Sequence, residues 1–185
     1  MDNNQVLATI TKAFPQAVDS SDQPYGQLHL TLSARGEDFL SVMRFLRDEE
    51  HLQYTLLSDV TAIDWSPQIP RFDLLYILFS VQNEHRLVVH LPLPEGEPVP
   101  SVSAIWHSAN WGEREVYDLM GIPFAGHPDL RRILTWDSFE GHPLRKDFPL
   151  HGNYDVDDFD FQTLEVNSAF SRDLDQPCQI PNALE

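Results

Sequence analysis

The sequence predicts a two-layer α+β fold, with helices packed on one face of a mixed sheet of about five strands and an extended C-terminal segment beyond it. Three observations point there. Apolar residues recur at helical spacing near residues 2–14, 36–50 and 110–121, while five stretches between 17 and 93 alternate or run apolar in the manner of strands. From Ile122 to Leu150 neither period survives, and four prolines punctuate the run. At 185 residues the chain is long enough for one domain with a substantial core and too short for two large ones.

Taken in order, Val6, Ile10 and Ala13 or Phe14 mark a first helix that Pro15 stops. A strand stub at Ala17 to Asp19 and the turn-rich SSDQPYG lead to residues 27–32, where Leu28, Leu30 and Leu32 alternate with His29 and Thr31 in a half-buried strand. Residues 36–50 place Phe39, Val42, Met43 and Leu46 on one helical face. Residues 52–65 are rich in β-branched and aromatic side chains and read as a strand bulged near Ser58-Asp59. Phe72 to Val81, FDLLYILFSV, is almost unbroken apolar sequence; it reads as the centre of the sheet, covered on both faces or sealed by a partner. Asn83-Glu84 turns the chain into a hairpin whose second strand, His85 to Leu93, carries Leu87, Val89 and Leu91 on one side. PLPEGEPVP is a proline-stiffened link, and Ser101 to His107 begins a short helix.

The last helix spans Asn110 to Gly121. Asn110 is placed to cap it while Glu113 reaches back to the cap amide. Val116, Leu119 and Met120 form its apolar stripe, and Arg114 and Asp118, one turn apart, are placed to pair. Gly121 can take the left-handed closing conformation and Pro123 cannot continue the helix. The globular domain is therefore expected at residues 1–122, with 123–185 as a docking segment, Pro/Gly-rich and then acidic. An irregular ribbon hardly buries its own backbone polar groups, so it needs an external surface. Arg131, Arg132, Arg145 and Lys146 imply that this surface carries carboxylates. After Gly152 eight acids face one base, Arg172, and that tail is expected to be mobile when alone.

Charge and cysteine content narrow the function. A formal net charge of −17 argues against nucleic acid or an anionic membrane surface as direct partner. The single cysteine, Cys178, can neither staple the chain nor supply the thiolates of an iron–sulfur cluster. No apolar run reaches membrane-spanning length and MDNNQ lacks the features of a signal peptide, so the chain is expected to stay in the compartment where it is made. His127 and His142, both in Gly-His-Pro, and His151 show no metal-ligand spacing; a structural role for these rings outweighs proton transfer. Glu113 and Glu115 point apart on a helix and are poor partners for acid–base work; a cap for the first and an ion pair for the second fit better. No nucleophile elbow, phosphate loop or dinucleotide fingerprint is present. No catalytic, cofactor-binding or metal-ligating residue is therefore assigned.

The run Glu113-Arg114-Glu115, Asp118-Leu119-Met120, His127, Arg131 and Ile133-Leu134, followed by GHPLRKDFPL, resembles the signature of the 30-kilodalton (C-type) subunit of respiratory NADH:quinone oxidoreductase, complex I. The resemblance covers roughly Gln27 to Leu150 and implies the same two-layer architecture. It further implies a non-catalytic subunit of the peripheral arm, clamping the large 49-kilodalton (D-type) subunit that shapes the quinone site. Such a chain binds no cofactor itself; FMN, iron–sulfur clusters and quinone belong to partner subunits, and the complex couples electron transfer from NADH to quinone with proton translocation. It would sit on the cytoplasmic side of the bacterial inner membrane, attached only through the complex. The residues expected at the partner interface are Glu113, Arg114, Glu115, Asp118, His127, Arg131, Trp136, His142, Arg145, Lys146, Asp147 and Phe148, with Leu134 and Leu150 as further apolar anchors. Two other readings stand beside this one: the equivalent subunit of a related membrane-bound nickel–iron hydrogenase or other-donor complex, and a free-standing histidine-dependent enzyme.

Overall fold

A computed structural model describes residues 2–150. The chain runs through α1 (Asn3–Ala13), β1 (Val18–Asp22), β2 (Leu28–Leu32), α2 (Gly36–Asp48), β3 (Leu56–Asp64), β4 (Phe72–Ser80), β5 (His85–Leu93), β6 (Val99–Pro100), α3 (Ala109–Met120) and β7 (Phe124–Ala125). The five long strands form one mixed sheet in the order β1-β2-β5-β4-β3, and β6 pairs in parallel with β7 in a small second sheet. This is the α+β architecture the periodicities predict.

The centre of the sheet is β5, not the unbroken apolar strand β4. β5 pairs antiparallel with β4, Val89 opposite Tyr76, and in parallel with β2, Leu30 opposite Val89. That parallel pairing joins strands far apart in sequence, so hairpin signals alone do not show it. β4 buries Leu74, Tyr76 and Leu78 completely on the helix side, while Leu75, Ile77 and Phe79 are half-buried on the other. Its outer neighbour β3 is an edge strand whose register shifts between Leu57 and Asp59, where the sequence places a bulge.

Helical spacing has become the core. Val6 and Ile10 of α1 and Phe39, Val42, Met43 and Leu46 of α2 are wholly buried with Leu28, Leu30, Leu87 and Val89 of the sheet. Residues 101–107 do not form the expected short helix. They make a single turn in which the amides of Ile105 and Trp106 both donate to the Val102 carbonyl, and Trp106 Nε1 donates to the Tyr54 carbonyl. Burying that indole at the turn leaves no room to wind on. α3 starts at Ala109, one residue before the expected cap, with Ser108 preceding it and its hydroxyl donating to the Leu57 carbonyl. Residues Met1–Phe148 form one compact unit, which takes in the first part of the segment beyond 122.

α3 lies against β3 where Gly112 faces Val60: a Cβ on Gly112 would stand 3.0 Å from the Val60 Cβ and 3.4 Å from its amide nitrogen. The contact is backbone-close, so it has little freedom to relax. Gly112→Val should lift α3 from the edge strand and cost about 1–3 kcal/mol, the usual penalty of overpacking. Thermal denaturation of the purified variant checks this, and an unchanged melting temperature contradicts the contact.

Candidate functional site

α3 buries two carboxylates: Asp118 organises the C-terminal ribbon that follows the helix, and Glu113 holds the turn that precedes it. Asp118 is fully buried. Its Oδ2 accepts the amides of Ile133 (3.0 Å), Leu134 (2.8 Å) and Thr135 (2.8 Å), and its Oδ1 accepts Arg132 Nη1 (2.7 Å) and the Thr135 hydroxyl. Burial alone would push this carboxyl up; the Thr135 hydroxyl and amide, the Ile133 amide and the Arg132 guanidinium outweigh burial and hold it well below the usual range. Arg132 then donates to the Phe139 and Gly141 carbonyls at 2.8 and 3.0 Å, so one ion pair fixes the course of nine further residues' backbone.

The expected Arg114–Asp118 pair does not form. Arg114 instead donates to the carbonyls of Arg131 and Arg132, each at 3.1 Å, and lies over the Trp111 ring. Asp118 turns inward to groups that close its charge from several sides, which a single exposed guanidinium would not do. Glu113 is likewise not a capping residue. It is fully buried, Oε1 accepting the Val102 amide (2.7 Å) and Oε2 the Ser101 hydroxyl (2.6 Å), and so ties α3 to the turn after β6. Burial pushes its carboxyl up to about 7, against the opposing pull of those two donors. Glu115 is exposed and, among the described residues, forms no ion pair in place of the one expected.

The two Gly-His-Pro histidines are occupied by backbone. His127 Nε2 donates to the Asn110 carbonyl (3.1 Å) while its Nδ1 accepts the Asp129 amide (3.0 Å), which fixes the neutral tautomer. His142 Nδ1 donates to the Asp118 carbonyl (2.8 Å), and its ring fills the space beside Gly121, where a Cβ would stand 2.5 Å from ring carbon. Gly121 has φ +75°, the left-handed helix end read from the sequence.

A second fastening holds the far end of the ribbon. Asp64, at the end of β3, accepts the Lys146 amide and Arg71 Nη2, both at 2.9 Å. Arg71 also pairs with Glu95 and Asp147, Arg145 pairs with the same two carboxylates, and both guanidiniums lie over the Phe72 ring. The bond from Arg71, with the Lys146 and Ser66 amides, holds Asp64 well below the ordinary carboxylate range. The carboxylates that the ribbon's cations require are thus supplied largely by this chain. Phe148 stacks on Phe139, which meets Trp136 edge-on.

What remains outward is a smaller set. The Arg131 side chain is 69% exposed and, among the described residues, pairs with exposed Asp129, while the Lys146 amide donates to Asp64. Trp111, Leu134, Trp136, Leu144 and Leu150 are all exposed large apolar side chains. Thr135, Asp64, Arg71 and Glu95 are structural members that sequence reasoning did not single out, and Arg132, expected there to meet carboxylates of an external surface, pairs with Asp118 of its own chain. Glu113 left a legible signal, since it falls in line with Val116 and Met120 on the buried stripe; Asp64 and Arg71 left none, being joined only by the closing of the β3–β4 hairpin. Among the described residues no cluster of three His, Cys, Asp or Glu side chains is placed to hold a metal ion, and no helix is long and apolar enough to cross a membrane.

The fold recurs in other solved chains. The structure is similar to a trypsin-resistant fragment of Nqo5, with 30% identity and a TM-score of 0.58, covering 70% of this chain and all of that one. It also shares its fold, at 24% identity and a TM-score of 0.64, with a chain of an archaeal membrane-bound sulfane sulfur reductase, covering 80% of this chain and 85% of that one. The family described as "Respiratory-chain NADH dehydrogenase, 30 Kd subunit" matches residues 32–154. The NADH-quinone oxidoreductase C-type subunit of Geotalea uraniireducens (strain Rf4) is 43% identical over 152 residues, 82% of this chain and 90% of the relative. The chain belongs to the 30-kilodalton subunit family of complex I.

The buried carboxylates carry two expectations. Asp118→Ala strands Arg132 and three amides and should cost about 3–5 kcal/mol, as losing one partner of a buried pair does. It should also expose the bonds after Arg131 and Arg132 to trypsin in the purified chain; unchanged melting temperature and cleavage would show that the ribbon does not depend on Asp118. Glu113, with its pKa raised in the folded state, stabilises the protein most at low pH, and this stabilisation fades as pH rises through about 7. Relative to Glu113→Gln, the unmodified chain should therefore lose stability between roughly pH 4.5 and 7. Parallel denaturation curves across that range would contradict the raised value.

Proposed function

We propose that this chain is a non-catalytic subunit of the peripheral arm of proton-translocating NADH:quinone oxidoreductase, clamping the large 49-kilodalton-type subunit while electrons pass from NADH to quinone. In this reading FMN, the iron–sulfur clusters and quinone are held by partner subunits, and the chain meets the membrane only through the complex, on its cytoplasmic side. The observation that carries it is the pinned ribbon: residues 132–147 are locked at both ends to their own domain, yet Leu134, Trp136 and Leu144 are exposed along it, close in sequence to exposed Arg131. Large apolar side chains held on a fixed backbone, with an arginine beside them, are the composition of interface anchors. Family membership adds that the relatives bear the name of this complex.

Arg131 and Trp136 give the cleaner test, because Arg145 is needed by the chain's own ion-pair network. Among the described residues Arg131 pairs with exposed Asp129, a surface pair worth less than about 1 kcal/mol to the fold. The double variant Arg131→Ala, Trp136→Ala should leave the melting temperature of the isolated chain within a few degrees while reducing its recovery with the complex from detergent-solubilised membranes several-fold. Full co-purification of the variant would remove the ribbon from the interface.

A further inference from the structure

The edge strand, α3 and the ribbon line a groove of about 390 Å³ among the described residues. Leu57 and Val60 of β3, Gly112 and Trp111 of α3 and Leu134 of the ribbon line it, and Ser58, Asp59 and Glu115 add polar groups to the same lining. Trp111 is 66% and Leu134 64% exposed, so these side chains stand above the surface instead of walling a closed cavity. The Arg114 guanidinium lies over the Trp111 ring, 5.6 Å from its centroid, and steadies it. The bulge between Leu57 and Asp59 turns exposed Ser58 and Asp59 toward this space, a usual role for a bulge on an edge strand.

The charges decide the occupant. Asp59 and Glu115 are exposed, and among the described residues neither has a cation within pairing distance, although arginines elsewhere in the ribbon all find carboxylates or carbonyls. The chain's own residues after Gly152, with eight acids and one base, would set like charge against like. Trp111 and Leu134 are largely exposed although they line the groove, so an occupant that covers both extends beyond it. The geometry points to an extended segment of a neighbouring subunit that seats an apolar side chain between Trp111 and Leu134 and sets a lysine or arginine against Asp59 and Glu115. This inference rests on the proposed place of the chain in the complex and adds a second contact, on the β3 side, to the one made by the ribbon.

The test places the photoreactive amino acid p-benzoylphenylalanine at position 111, and separately at 134, in the full chain expressed with its complex. Both sites are exposed, so neither substitution reaches the core, and position 136 serves as the ribbon control. Irradiation of the assembled complex should link 111 and 134 to a peptide of another subunit containing lysine or arginine. Adding Asp59→Lys with Glu115→Lys should reduce that product at least ten-fold while the product from 136 persists and the isolated chain melts as before. Linkage to this chain's own residues 151–185, to a peptide without a basic residue, or to nothing while 136 still links, overturns the groove and leaves the proposed function standing. A chain that never enters the complex overturns both.

Discussion

The structure depends on one buried carboxylate. Asp118 carries a full charge into the interior, where an ionised carboxyl is tolerated only when its oxygens are closed by donors. Five donors meet that requirement, and all five come from four consecutive residues, Arg132 to Thr135. The demand of the charge therefore dictates a local backbone shape: three successive amides must converge on one oxygen. Once they do, the Arg132 side chain is aimed along the ribbon at the Phe139 and Gly141 carbonyls, and His142 is brought back to the Asp118 carbonyl. A segment with no repeating secondary structure is fixed because a helix offers it an anion.

The three buried acids of this half of the molecule are divided by their surroundings. Asp118 and Asp64 each face a guanidinium and backbone amides, and both stay ionised far below neutral pH. Among the described residues Glu113 has two neutral donors and no Lys or Arg partner; the His127 ring, 3.9 Å away, has both nitrogens committed to backbone groups. Its charge is therefore the poorly supported one. Buried Tyr76 feels the same field: burial first, and the Glu113 charge second, push its hydroxyl well above the ordinary phenol value. The ribbon is thus fastened at both ends by groups that do not titrate near neutrality, while the attachment of the β6 turn to α3 does.

Much of the fold was legible because it follows from local periodicity. α1, α2, the β4–β5 hairpin, the bulge in β3 and the glycine end of α3 all come from side-chain spacing or from one residue's backbone freedom. What was not legible is long-range. The parallel pairing of β2 with β5 makes β5 the central strand and leaves no mark in either segment. Trp106 turns 101–107 away from a helix because its indole is claimed by Tyr54, fifty-two positions earlier. At the site, a helical Arg114 and Asp118 one turn apart read as a pair, yet burial of Asp118 sends each to a different stretch of the ribbon. The motif residues were found by their resemblance to a family; their partners, Arg132, Thr135, Asp64 and Arg71, emerge only when the chain closes on itself.

That closure bears on how such a ribbon can serve an interface. An irregular segment that became ordered only on association would lose backbone freedom worth about 1–2 kcal/mol per residue at that moment. Here residues 132–147 have that order in the isolated chain, supplied by Asp118 at one end and by Asp64 and Arg71 at the other. The same ion pairs leave few of the local cations for a neighbour, so what the ribbon offers outward is mainly apolar surface with Arg131 at its border. A chain of net charge −17 can in this way present a contact that is neither strongly acidic nor floppy. In the proposed interface the buried charges would act on association indirectly, by holding Leu134 and Trp136 in place before any partner arrives.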